Sequence, residues 1–74
     1  NTKITYSLVD AANVSITVFD MNGRQVYQYK EDNVSKGTHQ HLILSSHLGG
    51  KTGVYYYQLE AGNYKATKKM ILIE

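Results

Sequence analysis

The chain reads as an all-β protein, an antiparallel sandwich of six to seven short strands. Three observations predict it. Apolar residues recur at every second position along most of the sequence. Clusters of turn-forming residues separate these runs at short, even intervals. No stretch shows helical spacing, and there is no proline.

Each element follows from its own residues. Ile4, Tyr6 and Leu8 alternate with Thr5 and Ser7, which predicts a first strand with one buried face. Asp10-Ala11-Ala12-Asn13 predicts a break. Val14, Ile16 and Val18 alternate with Ser15 and Thr17 and predict a second strand. Asp20-Met21-Asn22-Gly23 predicts a tight turn, because Asn and Gly accept positive φ at little cost. Gln25 to Tyr29 returns as a third strand around Val26. The polar run from Lys30 to Lys36 predicts a loop that ends at Gly37.

Thr38 to Leu44 predicts a fourth strand. His39, His41 and Ile43 then share one face, and Gln40, Leu42 and Leu44 the other. Ser45 to Thr52 predicts a loop anchored by Leu48 and carrying Gly49-Gly50. Val54 to Glu60 predicts a fifth strand, and Gly62-Asn63 a two-residue hairpin turn. Tyr64 to Ile73 closes the chain, as one kinked strand or two short ones.

Gly53 and Tyr55 sharpen the fold class to an immunoglobulin-like sandwich. In such sandwiches a Tyr near the start of a late strand folds back at a sheet corner, and its hydroxyl bonds backbone. Tyr55 stands where that corner belongs, with Gly53 freeing the turn. Tyr57, two residues on, faces the same way and fills the volume that a disulfide takes in antibody domains. The expected core is Ile4, Tyr6, Leu8, Val14, Ile16, Val18, Val26 and Tyr55, with Leu48 as a loop anchor.

Size and composition narrow the function. Seventy-four residues make one small domain, residues 1–74, with little apolar surface to spare for a deep pocket. No cysteine is present, which excludes disulfides and thiolate metal sites. No apolar run is long enough for a membrane-spanning helix. A net charge of +2 is too mild for a nucleic-acid partner, which calls for a denser basic stripe. The chain opens on Asn1 and not Met, which predicts a piece of a longer protein.

Candidate chemistry is sparse. His39 and His41 leave the same strand face, and with His47 they make a conceivable metal set. No carboxylate spacing supports it, so they read as surface or half-buried histidines, and no metal or cofactor is expected. Seven tyrosines suggest a sugar platform, but period two sends Tyr55 and Tyr57 one way and Tyr56 the other. Asp10, Asp20, Glu31 and Asp32 fall in turns or loops, where carboxylates serve turn chemistry. No serine, histidine and carboxylate can be placed together, and no phosphate-binding glycine loop exists. The chain does not read as an enzyme. Lys65, Lys68 and Lys69 form the only basic cluster, on a terminal strand where lysines discourage edge-to-edge pairing.

Taken in order, Thr2-x-Ile4-x-Tyr6-x-Leu8, Val14-x-Ile16-x-Val18-x-Asp20-x-x-Gly23-Arg24-x-Val26, Gly37-x-His39, Leu48, Gly53-Val54-Tyr55-Tyr56-Tyr57-x-Leu59 and Thr67-Lys68-Lys69-Met70-Ile71-Leu72 carry a resemblance. Over nearly the whole chain the pattern resembles a type IX secretion C-terminal sorting domain. It departs from that family at His41, where an aliphatic residue is usual, and in a longer loop between Leu48 and Gly53.

The resemblance implies a sandwich at the C-terminus of a larger secreted cargo, which is covalently attached on the N-terminal side. The cargo reaches the periplasm of a Gram-negative cell by a separate signal. The domain then directs it across the outer membrane through a translocon, and a sortase-like peptidase removes the domain. Cargo is released or held at the cell surface. On this reading the translocon recognises Gly53 and Tyr55 for shape, and Lys68, Lys69, Met70, Ile71, Leu72 and Ile73 for contact. The terminal strand is expected to pair with a receptor strand by β-augmentation. The alternative is a carbohydrate-binding or spacer module of a secreted hydrolase. A third reading, a scaffold piece of a surface assembly, predicts self-association.

Overall fold

The computed structural model describes residues 2–49 and 52–73. Among them are six strands: β1 (Thr2–Leu8), β2 (Ala12–Phe19), β3 (Gln25–Val34), β4 (Gly37–Ile43), β5 (Gly53–Ala61) and β6 (Tyr64–Leu72). A 3-10 turn, Ser45–Leu48, joins β4 to the following loop. Gly50 and Lys51 of the predicted loop lie outside the described residues.

The strands form two antiparallel sheets. One has two strands, in the order β1-β4, and the other has four, in the order β3-β2-β5-β6. This is an all-β sandwich with immunoglobulin-like layering.

Alternation places the core. Ile4 and Tyr6 of β1 and Ile43 of β4 turn inward from the smaller sheet. Val14, Ile16 and Val18 of β2 meet them from the larger sheet, with Tyr55, Leu59 and Ala61 of β5. Leu48 is buried as the loop anchor. Ile16, Val18, Ile43 and Leu72 have no exposed surface at all. Burying a side chain of this kind contributes about 1.5–3 kcal/mol.

Three expectations need correction. Leu8 and Val26 pack against the core without being buried in it, because each stands at a strand end. Ala12 and Asn13 continue β2 and do not break it. The expected loop from Lys30 to Lys36 is mostly strand, with β3 running on to Val34. A register shift between Ala12 and Val14 lets Val34 pair with Ala12 and enter the core. Asn33 adopts a positive φ of 54°, and its N–H donates to the Asn13 side-chain oxygen at 3.0 Å. Asn tolerates that backbone region better than most residues. Of the two forms left open for the end of the chain, Tyr64–Leu72 takes the single strand.

The Asp20 turn forms as expected. Asp20 Oδ1 accepts the N–H groups of Asn22 and Arg24, each at 2.9 Å, and Oδ2 accepts Arg24 Nε at 3.2 Å. Gly23 takes the positive φ, 81°. Hydrogen bonding from the Arg24 backbone leads the effects that hold the Asp20 carboxyl below its usual range.

Candidate functional site

The terminal strand is built from two faces that do different things. Its register opposite β5 pairs Tyr55 with Met70, Tyr56 with Lys69, and Gly53 with Leu72. Met70 and Leu72 point into the sandwich and are buried. Lys65, Lys69, Ile71 and Ile73 are exposed, with Ile71 at 60% and Ile73 at 71%. Lys68 shares the parity of Met70 yet stays exposed, because the smaller sheet does not reach over it.

Of the eight residues expected to meet a translocon, then, Met70, Leu72 and Tyr55 are rooted in the core. Lys68, Lys69, Ile71 and Ile73 are exposed to solvent. Gly53 opens β5 at φ 145°, a conformation that glycine adopts without strain. Tyr56 lies beside Lys69 on the outer face, 41% exposed. β6 is also an edge strand, paired on one side by β5 and open on the other.

A family model described as a secretion system C-terminal sorting domain matches residues 1–74. The chain belongs to this family. A comparison with curated proteins finds no match. A sorting domain of this family is the C-terminal signal for type IX secretion. It serves a cargo on its N-terminal side that is secreted or held at the cell surface, and it is not a catalytic family.

The remaining candidates of the sorting domain resolve into structure. His39 stacks on Tyr6, its cross-strand partner, and its Nε2 lies 2.6 Å from the Ser35 carbonyl. His41 and His47 meet Tyr27 and Tyr29 at the seam between the sheets. Among the described residues no three His, Cys, Asp or Glu side chains gather as a metal set. No described helix is long and apolar enough to cross a membrane. The two exposed tyrosines, Tyr56 and Tyr64, do not share a face, since they sit at positions of opposite parity relative to the core.

One feature escaped the sequence reading. A cleft of about 570 Å³ opens under β1, lined by Ile4, Tyr6 and Leu8 on one wall and by Leu59, Ala66 and Lys68 on the other. Nothing in the linear pattern reports that the smaller sheet is two strands narrower than the larger.

Proposed function

We propose that the outward face of β6, and its open edge, form the surface that type IX machinery reads, while the inward face fixes that surface in place. The observation that carries this is the division of labour along β6. Met70 and Leu72 anchor the strand, and Lys69, Ile71 and Ile73 stand free beside Tyr56. A rigid strand loses little conformational entropy when it docks. Its open edge supplies backbone donors and acceptors for an added receptor strand. The exposed lysines supply charge that a carboxylate-bearing receptor can match. Gly53 and Tyr55 support the surface from behind and do not touch the partner.

On this reading the domain is one unit, residues 1–74, of a larger precursor. Its cargo crosses the periplasm of a Gram-negative cell, and a sortase-like peptidase then removes the domain. The cargo is released or joined to a surface anchor.

The test is export of a periplasmically targeted fluorescent passenger fused ahead of residues 1–74, in a cell with type IX machinery. Deleting residues 70–74 would remove two core side chains and so mix folding with recognition. The informative variant is Lys69→Glu with Ile71→Ser, which alters exposed positions alone. Passenger should reach the medium or surface with the wild-type domain and stay periplasmic with the variant. Equal export of both would sink the surface assignment while leaving the family role intact.

A further inference from the structure

We infer that the free edge of β1 takes an extended segment of a second protein as an added strand, which then covers the cleft over β5 and β6. The inference stands on the cleft and the edge, and does not require the proposal made for β6.

The smaller sheet is incomplete on this side. Among the described residues β1 pairs with β4 alone, in unbroken register from Thr2 opposite Ile43 to Leu8 opposite Gly37. Alternate N–H and C=O groups of β1 therefore point away from β4 without a ladder partner in the sheet. Directly beneath that edge lies the cleft of about 570 Å³. Its floor continues past β1 to Ala66, Tyr64 and Lys68 of β6.

The other edges are less receptive to a mainly apolar segment. The β3 edge is interrupted by two register shifts. The β4 edge lies along the seam that His41 makes with Tyr27 and Tyr29. β6 carries Lys65, Lys68 and Lys69, which turn uncharged strands away from its edge and leave it to a carboxylate-bearing receptor. β1 has one lysine, Lys3, at a position facing away from the core. It has no proline and no bulge. A regular edge over a largely apolar cleft is the geometry of strand addition.

The chemistry of the walls selects the occupant. An open ladder needs a polypeptide backbone, which neither a glycan nor a lipid supplies. The lining asks for apolar side chains at every second position of the incoming strand. Lys68 and Asp10 are the charged residues lining the cleft among the described residues, so an inward carboxylate is favoured beside Lys68 and disfavoured beside Asp10. A second copy fits poorly. Pairing β1 with another β1 would drive the copy's own four-stranded sheet into the space occupied by β5 and β6.

The experiment titrates the isotopically labelled 74-residue chain with acetyl-Val-Ser-Val-Thr-Val-Ser-Glu-amide, which presents three valines and the glutamate on one face. Saturable amide shifts are expected along residues 2–8 and the cleft walls, with slowed hydrogen exchange at alternate β1 amides. Replacing the central threonine of the peptide by proline should abolish binding. Lys68→Glu should weaken it up to about fivefold, the worth of one exposed ion pair. A peptide ending in lysine should then recover the loss. Ala66→Trp should fill the cleft and block binding, while the spectrum reports whether it folds. Absence of saturable shifts, shifts along β6 instead, or a chain that runs as a β1-paired dimer would each overturn the inference.

Discussion

Tyr27 holds its hydroxyl 2.9 Å from Nε2 of His41, so a β3 side chain of one sheet grips a β4 side chain of the other. Tyr29 stacks on the same imidazole, with ring centres 4.2 Å apart. His47 stacks on Tyr27 at 4.9 Å, and its Nδ1 accepts the Leu44 N–H at 3.1 Å. One long side of the sandwich is therefore closed by a titratable seam and not by an aliphatic one.

Stability should fall as the medium is made mildly acidic. Burial, and then the neighbouring His47, push the His41 imidazole below its ordinary 6.5, against a smaller pull from Glu31. Tyr27, Tyr29 and Glu31 face it from β3, and His47 from the 3-10 turn. A depressed histidine means that the unfolded chain binds the proton more readily. Its contribution is thus complete above about pH 6.5, the unfolded value. It is lost as pH falls through the lower folded value. Thermal melts between pH 7.5 and 5 should show a falling Tm. His41→Gln with His47→Asn keeps a polar atom at each bonding position and should flatten that slope. Parallel slopes would refute the assignment.

The Tyr29 hydroxyl donates to Glu31, and this bond, ahead of burial, pushes its pKa up to about 12. A raised value contributes stability that is present below about pH 10, the ordinary tyrosine value, and lost as pH rises through 12. Tyrosinate absorbance, read as wild type minus Tyr29→Phe, should show one late titration. Glu31→Gln should move it toward the ordinary value.

Leu72→Ala should cost about 2–5 kcal/mol of unfolding free energy, because it leaves a cavity where no solvent reaches. Ile71→Ser, one residue away but exposed, should stay within about 0.5 kcal/mol of wild type. Urea titration checks both. Similar costs at the two positions would contradict the alternation along β6.

Gly53→Ala should destabilise by roughly 1–3 kcal/mol, the cost of holding a side-chain residue at an unfavourable positive φ. Beyond its chain neighbours, no atom of the described residues lies within 4 Å of the added methyl, so the penalty comes from the local backbone conformation. A neutral result in chemical denaturation would mean that the strand start relaxes freely.

Much of the sandwich was legible in the sequence because β-structure writes its burial in period two. The runs around Ile4, Ile16 and Tyr55 each announced a strand and its inward face, and Asp20 to Gly23 announced a turn by its backbone needs. The end of β3 was illegible. Lys30 to Asn33 are polar because they are exposed on an edge strand, and an exposed strand has the composition of a loop. Val34 enters the core only through the bulge that Asn13 and Asn33 hold together across the sheet.

Most of the strands, most of the core and, through the ordered motifs, the family follow from the linear pattern of residues. Tertiary structure decided which side of the terminal strand is available, since Met70 and Ile71 are both apolar and only the neighbouring sheet covers one of them. It also decided that β1 ends the smaller sheet above an uncovered cleft. Neither fact has a local signature. Strand order and sheet width arise from pairings between residues far apart in the chain, and a one-dimensional pattern reports the faces of a strand but not what lies opposite them.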